Sequence, residues 1–357
     1  MIVIFAVFLA VLALYAQKWY LEKCLDSVKE DHWMDKAIVE QDETFHIVLS
    51  MKNMGRGFVP YLKVTEWMPH KMQLKMEGSN VSQGPQGTQV SYTTWLRPRQ
   101  EVRKYLPVSA PERGRFFLRE MVLAGGDFLG LSERDRNYSA FREVVAVPRP
   151  APEQAVGEVL GGFMGDVSVR RFIMEDPVLT LGYREYTGRE PMKMISWSQS
   201  ARGMGLMVKK YDYTLEPAVS VLLNVESTAE NREEEIERCY SLARTVCETL
   251  EDRGIQYDFA TNAVIAGAMS DLSTMSEGLG RRHFEGVLEA LGRATYMVGE
   301  PADKLLAGST AAGYGSARGR ILITPDRTAL NPWALGRLRE VSGGNLLVIA
   351  ASEVAPW

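Results

Sequence analysis

The stretch AVSVLLNVESTAENREEEIERCYSLARTVCETLEDRGIQYDF, residues 218–259, decides the fold of the carboxyl-terminal half. Its apolar run at 219–223 has the length of a buried strand, and 255–259 is a second such run. Between them, 231–253 is an amphipathic helix that opens with three glutamates, which the positive end of a helix dipole favours. The alternation continues with a helix at 283–291 and strands at 321–324 and 346–350. Strands that alternate with helices predict a parallel sheet with helices on both faces.

Residues 35–148 have a different pattern, which is typical of β-structure. From Phe45 to Lys52 every odd position is apolar, which is the period of a strand with one buried face. Similar runs, separated by prolines and polar turns, follow at 61–67, 90–96, 115–122 and 144–147. Several short strands at such spacing predict an antiparallel β-sandwich. The proline-rich residues 148–152 then predict a linker.

Length and composition limit the classes of function. A chain of 357 residues is expected to form two domains, and 46% hydrophobic and 24% charged residues are typical of globular proteins. The net charge of -4 argues against a general nucleic-acid binder. Three cysteines do not make a disulfide framework, and the four histidines lack the spacing of a zinc site.

The amino terminus predicts a membrane anchor. Residues 1–16 contain no charged side chain, and Lys18 and Lys23 follow them. A helix through Tyr20 has a length of about 30 Å, roughly one bilayer core. Trp19 and Tyr20 suit the membrane interface. We therefore expect a single-pass cell-membrane protein whose other domains lie in the cytoplasm.

A glycine-rich charged segment lies between the two patterns and reads GYREYTGREPMKMISWSQSARGMGLMVKKY, residues 182–211. It resembles the family catalogued as domain of unknown function 58. The family motif is matched here by Arg184-Glu185-Tyr186, Gly188, Ile195-Ser196-Trp197, Ser200-Ala201-Arg202, Leu206, Lys209 and Tyr211. Arg113-Gly114 and residues 127–131 match two further family motifs, and Arg189 stands where the family usually has an acidic residue.

The resemblance implies a membrane-anchored protein whose carboxyl-terminal half is similar to a von Willebrand factor A domain. It also implies a protein partner, because members are often linked to MoxR-type AAA+ ATPases and are taken to act as adaptors or assembly factors. We therefore expect α/β plus all-β structure in four parts. These are a transmembrane anchor at 1–20, an antiparallel β-sandwich at 30–150, a linker with the family motif at 151–215, and a von Willebrand factor A-like doubly wound α/β domain at 216–357.

The resemblance also bears on metal binding. A von Willebrand factor A domain can hold Mg²⁺ in an aspartate-x-serine-x-serine loop, and here that loop reads NVEST at 224–228. Asn224 replaces the anionic ligand and Glu226 the first hydroxyl, while Thr228, Thr261 and Asp326 offer further oxygens. Mg²⁺ demands near-ideal octahedral geometry. We therefore expect a polar loop without a cofactor, with Mg²⁺-dependent adhesion to an acidic partner as the alternative.

Two interpretations of the family motif stay open. In the first it is a surface that binds a protein partner, since tryptophan and arginine dominate interface energetics. In the second it is an internal clamp, with Trp197 buried between the two domains and Arg184 or Arg202 paired with an acidic neighbour. Large aromatic side chains are usually buried, so burial is our expectation for Trp197. The candidate residues are Arg184, Glu185, Tyr186, Gly188, Trp197, Ser200 and Arg202.

The sequence contains no pattern that indicates catalysis. It has no Gly-x-Ser-x-Gly elbow and no P-loop lysine, and the glycines at 161–165 and 313–319 are expected to form turns. Cys239 and Cys247 lie among apolar neighbours in one predicted helix, where a thiolate is poorly stabilised. We therefore expect a non-catalytic scaffold or adaptor. A hydrolase of envelope polymers is a further alternative, and it would need a pocket with converging acid and base groups.

Overall fold

The computed structural model describes residues 2–69, 71–75, 81–84, 87–126, 133–152, 154, 156–157, 160–165, 176–188, 190–202, 205–212, 218–268, 271–311 and 318–354. The chain divides into two compact units, Met1–Arg149 and Pro150–Trp357.

The first unit begins with one helix, α1 (Ile2–Asp26), and continues as β-sheet. Its strands are β1 (Val28–Met34), β2 (Ile38–Val39), β3 (Phe45–Asn53), β4 (Val59–Met68), β5 (Gln73–Leu74), β6 (Val81–Gly84), β7 (Gly87–Leu96), β8 (Glu101–Ser109), β9 (Gly114–Gly126) and β10 (Glu133–Ala146). One sheet has the order β1-β3-β8-β5 and the other β2-β10-β9-β4-β7-β6. Among the described pairings of these sheets, only the short one between β2 and β10 is parallel.

The two sheets of the first unit share one apolar core. The alternating residues Phe45, Ile47 and Leu49 on β3 are fully buried, and they belong to the same cluster as Leu62 and Val64 on β4. Burial of one such side chain contributes about 1.5–3 kcal/mol. The side chains that alternate along β3 therefore pack against those of β4 and hold the two sheets together.

The prediction of a transmembrane anchor at 1–20 was wrong. None of the helices in the described part of the chain combines the length and apolar character needed to span a bilayer. The last turns of α1 instead belong to the β-unit. Leu25 is buried in its apolar core, and the Tyr20 hydroxyl donates a hydrogen bond of 2.5 Å to the carbonyl of Phe58.

The second unit contains strands and helices. They are β11 (Asp176–Glu185), a 3-10 turn (Met192–Met194), α2 (Trp197–Ser200), β12 (Met207–Asp212), β13 (Ala218–Leu223), α3 (Arg232–Asp252), β14 (Gln256–Thr261), β15 (Ala263–Ile265), β16 (Thr274–Gly278), α4 (Arg281–Arg293), β17 (Ala294–Val298), α5 (Ala302–Ala311), β18 (Gly319–Thr324), α6 (Pro332–Val341) and β19 (Leu346–Ala350). The largest sheet has the order β16-β14-β13-β18-β19, and β11-β12 and β15-β17 are separate pairs.

Helices pack on both faces of the five-stranded sheet. Val221 of β13 points into a cluster with residues of α3 and α4, whereas its neighbour Leu222 points into a second cluster with residues of α5 and α6. Strands β14, β13, β18 and β19 are parallel, and β16 is antiparallel to β14. Alternate residues of each strand therefore serve two different cores.

The predicted fold class was wrong. The described chain is mainly β-sheet with few helices, and it lacks the predicted membrane span. The carboxyl-terminal sheet is mixed rather than doubly wound throughout. No described helix lies between β14 and its neighbour β16, because an antiparallel neighbour needs no crossover helix. The polar sequence of β16, TMSEG, suits this exposed edge position.

Candidate functional site

Polar side chains lie at the carboxyl ends of three neighbouring parallel strands. Asn262 Nδ2 donates to Asn224 Oδ1 at 2.7 Å, and Asn224 Nδ2 donates to Thr324 Oγ1 at 3.0 Å. The backbone amides of Val225 and Glu226 donate to Asn262 Oδ1 and Asn224 Oδ1 at 2.8 and 3.0 Å. All three side chains are buried. The loop that the resemblance relates to a metal site is therefore closed by its own hydrogen bonds.

The four candidate metal ligands do not converge on one point. Glu226 Oε2 accepts from the amide of Ala302 at 2.8 Å, at the start of α5. Thr261 Oγ1 and the Asp326 carboxylate each accept from a backbone amide two residues further along, at 3.1 and 2.9 Å. Thr228 is exposed. Glu226 acts here as an anionic cap of a helix amino terminus.

The residues at this edge fit Mg²⁺ poorly. Within the described ranges, no three His, Cys, Asp or Glu side chains are grouped to hold a metal ion. The carbonyl oxygen of Asn224 already accepts two hydrogen bonds, and the amide nitrogen faces Thr324. A bound Mg²⁺ would have to break these contacts and still reach octahedral oxygen geometry.

The family motif lies on the two-stranded sheet of β11 and β12 and on the segment that joins them. Glu185 pairs with Met207 in an antiparallel register. Ser200 Oγ accepts from the Met207 amide at 2.9 Å and donates to the Ser196 carbonyl at 2.8 Å. The motif serine therefore holds α2 against β12.

Arg184 and Gly188 shape the turn that follows β11. Arg184 forms an ion pair with Glu190, which also accepts from the hydroxyl and amide of Thr187 at 2.8 and 3.1 Å. The Arg184 and Thr187 donors lower the pKa of Glu190 to about 2. Gly188 has a φ of 88°, in the region that favours glycine. Arg184 and Glu190 therefore neutralise each other within this turn.

Large apolar side chains of this segment face solvent. Trp197 is 61% exposed, and Met192, Leu206 and Tyr183 are 68%, 45% and 43% exposed. We call these four residues the motif surface. The expected burial of Trp197 was wrong. Ile195 and the Ser196 side chain take the buried positions of this turn, so the next residue points outward.

Basic side chains accompany the motif surface. Lys193 and Arg202 are exposed, and Lys209 on β12 is half-buried. In the described part of the chain none of the three forms an ion pair, whereas Arg184 is paired with Glu190. Glu185 is exposed and Tyr186 is half-buried, its amide bonding the Leu206 carbonyl at 2.8 Å. The segment therefore combines exposed apolar area with unneutralised positive charge.

Sequence reasoning missed a group of buried charges on the α5 and α6 face of the large sheet. Arg318 bridges two carboxylates, with Nη2 at 2.7 Å from Asp258 Oδ2 and Nη1 at 2.5 Å from Glu277 Oε2. Asp258 Oδ2 also accepts from Ser220 Oγ at 3.0 Å. Arg320 is fully buried. The available signal was that Ser220, Asp258 and Arg320 interrupt three apolar strands at positions that lie side by side in the sheet register.

Only some of the remaining predicted features lie in the described residues. Cys239 and Cys247 are fully buried, and burial raises the pKa of both thiols, which keeps them protonated and unreactive. Residues 160–165 are helical, so the turn predicted at 161–165 was wrong. The family matches at 127–131 and Arg189, and most of the glycine-rich stretch 313–319, lie outside the described residues.

Comparisons with known proteins identify no family. No family model and no curated protein matches the chain. Among solved structures, it is similar to the cohesin module of a family 33 glycoside hydrolase from Clostridium perfringens, at 9% identity and a TM-score of 0.27, over 34% of this chain and 96% of that one. A CARDB domain from Pyrococcus furiosus matches at 15% identity and a TM-score of 0.22, over 34% and 86%. A non-cellulosomal cohesin from Archaeoglobus fulgidus matches at 12% and 0.23, over 33% and 91%.

These similarities are too low to carry an argument about function. The matched structures are cohesin and CARDB domains. The description of the chain as a protein with a transmembrane helix and a von Willebrand factor A-like, doubly wound domain was wrong, because none of the described helices can span a membrane and the carboxyl-terminal sheet has the antiparallel edge strand β16. The alternative of Mg²⁺ binding at this loop has no support from the contacts of Asn224.

Proposed function

We propose that this chain is a non-catalytic scaffold or adaptor that binds a protein partner through the motif surface. The observation that carries the proposal is the 61% exposure of Trp197 within a segment that holds three more exposed apolar side chains. Exposure of a large apolar side chain to water costs free energy, and clustered exposure of this kind marks interaction sites.

The charges of the segment favour an acidic partner. Lys193 and Arg202 are exposed beside the motif surface, and the described residues provide no carboxylate for either. Charges at the edge of an interface raise the association rate with a partner of opposite charge. A tryptophan that becomes buried in the complex supplies a large part of the binding energy. The partner is then a protein with an apolar pocket for an indole and carboxylates at its edge.

A MoxR-type AAA+ ATPase is the partner that we propose to test first. This choice rests on the resemblance of residues 182–211 to the family catalogued as domain of unknown function 58. It is independent of the choice of surface, so the two parts of the proposal can fail separately.

The test measures the affinity of the full chain for the purified MoxR-type ATPase of the same genome. Replacement of Trp197 by Ala is expected to raise Kd about 30-fold, which corresponds to about 2 kcal/mol for a central interface tryptophan. Trp333→Ala is the matched control, because Trp333 is a 70% exposed tryptophan on α6 outside the motif. It is expected to leave Kd unchanged.

Two results would contradict the proposal. Equal affinity of the wild-type chain and the Trp197→Ala variant would exclude the motif surface as the binding site. A complete lack of binding by the wild-type chain would exclude the ATPase as the partner. Added salt is expected to slow association, and this effect weakens in the Lys193→Ala and Arg202→Ala variants.

A further inference from the structure

A cleft of about 1080 Å³ opens on the α5 side of the large sheet. Its floor is formed by β13 and β14, one wall by β16 and the loop before it, and the other wall by α5. The apolar cluster on this face draws its buried residues from β13, β18, α5, α6 and the segment before α6, and it contains no buried residue of β14 or β16. The cleft therefore lies where the packing of helices on this face ends.

Asp258 presents a carboxylate oxygen to this cleft. The residue is only 8% exposed and lines the cleft wall. Its Oδ2 accepts from Ser220 and contacts Arg318, whereas no described residue donates a hydrogen bond to Oδ1. Oδ1 is not among the fully buried side-chain atoms that lack a partner, so it is reached from the cleft, where a ligand hydroxyl can donate to it in place of water.

The charges beneath the cleft are balanced. Asp258 and Glu277 supply two negative charges, and Arg318 and Arg320 supply two positive charges. Burial raises the pKa of Asp258 and lowers the pKa of Arg320, which disfavours charge of either sign at the floor. The cleft walls also carry Lys304, which pairs with Glu300 at 2.6 Å, and Asp271, which accepts from the Ser273 hydroxyl at 2.6 Å. An ion that contacted the floor would find no free counter-charge there, because the two acidic and two basic charges beneath the cleft already balance one another. An uncharged ligand that donates a hydrogen bond suits the floor better.

The walls of the cleft are rich in hydroxyl groups. Thr274 and Ser276 are exposed along β16, Ser309 lies on α5, and Ser220 lies on the floor. A hydroxyl both donates and accepts hydrogen bonds, as the hydroxyls of a sugar do. Leu305 and Leu272 provide apolar area for the C–H face of such a ligand.

We infer that this cleft binds a small neutral polyhydroxylated molecule, of the class of monosaccharides and cyclitols, with one ligand hydroxyl donating to Asp258 Oδ1. The cleft volume exceeds that of one sugar ring and lies slightly above the range of roughly 300–1,000 Å³ that is typical of small-molecule sites. This inference does not depend on the motif surface, which lies on a different sheet of the same unit.

The test uses saturation-transfer NMR on the full chain with D-glucose, D-galactose, D-mannose, N-acetyl-D-glucosamine and myo-inositol. Cadaverine and glutarate are included as a small cation and a small anion. At least one polyol is expected to bind saturably, and cadaverine and glutarate are expected to bind more weakly. The expected difference is about fivefold in Kd or more, because the loss of one hydrogen bond to a ligand has an effect of this size.

The variants separate binding from folding. Asp258→Asn is expected to raise Kd about fivefold or more, because it removes the anionic acceptor. Thr274→Val with Ser276→Val removes two exposed hydroxyls from an edge strand and is expected to raise Kd with little change in melting temperature. Thr93→Val, on an exposed strand position of the first unit, is the matched control and leaves Kd unchanged.

Three outcomes would overturn the inference. The first is the lack of a saturable signal from every polyol up to about 50 mM, a weaker affinity than specific binding requires. The second is an equal Kd for the wild-type chain and the Thr274→Val/Ser276→Val variant. The third is tighter binding of cadaverine or glutarate than of any polyol.

Discussion

His32 and Glu66 join the two sheets of the first unit through a buried hydrogen bond, with His32 Nδ1 at 2.9 Å from Glu66 Oε2 and neither side chain exposed. His32 lies on β1 of the four-stranded sheet and Glu66 on β4 of the six-stranded sheet. The other ring nitrogen, Nε2, lies 2.9 Å from the carbonyl of Ala140. A carbonyl only accepts, so Nε2 carries a proton and the pair shares one further proton.

The His32–Glu66 pair predicts a stability that falls with rising pH. Burial opposes the protonation of His32, but the Glu66 carboxylate outweighs it and raises the pKa of His32 above 6.5, while burial raises the pKa of Glu66 above 4.5. Both groups therefore bind protons more tightly in the folded state. Their stabilisation is fully present at a pH below the unfolded pKa values and is lost as pH rises through the folded ones.

Urea denaturation of the wild-type chain and of the His32→Asn/Glu66→Gln variant from pH 5 to pH 9 measures this effect. The difference between their free energies of unfolding is expected to shrink as pH rises above about 6.5, the ordinary histidine value. His46→Gln, which removes an imidazole that is 41% exposed, serves as the control. A difference that grows with pH would refute the assignment.

Removal of Glu66 alone should destabilise the first unit strongly. Glu66→Ala leaves His32 without its carboxylate and opens a gap in the core, and we expect a loss of about 3–5 kcal/mol. Glu112→Ala is the matched control, since Glu112 pairs with Lys71 at the surface with 59% of its side chain exposed. That variant is expected to lose at most about 1 kcal/mol. Chemical denaturation of the two variants measures their free energies of unfolding. Equal losses of stability in both variants would contradict the prediction.

Mg²⁺ is expected to leave the melting temperature of the chain unchanged. Asn224 is only 1% exposed, and its amide is engaged by Asn262 and Thr324. An ion bound to the folded state alone would raise the melting temperature. Scanning calorimetry with and without millimolar MgCl₂ is the measurement, and an upward shift would show that the amide network opens for the metal.

Replacement of Asn224 by Asp is expected to destabilise the second unit by about 1–3 kcal/mol. The variant removes the donor to Thr324 and adds a buried negative charge beside the Asn262 amide. Asn231→Asp is a comparison at the exposed amino-terminal cap of α3, where the side chain makes no capping hydrogen bond and a negative charge is favoured. Thermal melts of both variants test this, and equal stability of the two would count against the buried network.

Two glycine substitutions are expected to change stability in opposite directions. Gly336 lies inside α6, and a Cβ there meets no atom within 4 Å, so Gly336→Ala should stabilise by about 0.5–1 kcal/mol. Gly254 follows the end of α3 with a φ of 64°, so Gly254→Ala should destabilise by about 1 kcal/mol although its Cβ also meets no atom. Urea midpoints of the two variants should therefore move apart, and a shift of both in one direction would contradict the backbone argument.

Local periodicity identified many individual elements in advance. The alternation from Phe45 to Lys52 corresponds to β3, Phe45–Asn53, and the helical pattern at 231–253 corresponds to α3, Arg232–Asp252. These patterns are local because one exposed and one buried face impose a period of 2 or 3.6 on the side chains. Periodicity did not identify the antiparallel edge strand β16, since its polar sequence has no buried face.

An apolar run of sequence does not show whether it contacts a membrane or the core of the protein. Residues 1–16 were predicted to form part of a membrane span from their apolar character and the flanking Lys18, Trp19 and Tyr20. In the structure the helix ends at Asp26, two residues before β1 begins at Val28. The burial of Leu25 in the β-unit is a contact with residues distant in sequence. Composition could not reveal it.

By itself, the sequence determined the β-type and α/β-type patterns of the two halves, the proline-rich break between them, and the positions of most buried strands. Each of these follows from neighbouring residues and their intrinsic backbone preferences. The tertiary structure alone decided that Trp197 faces solvent, that Asn224 is closed off by Asn262, and that Asp258 faces both Arg318 and an open cleft. Solvent exposure and hydrogen-bond partners depend on which distant segments meet, and local preferences do not specify that.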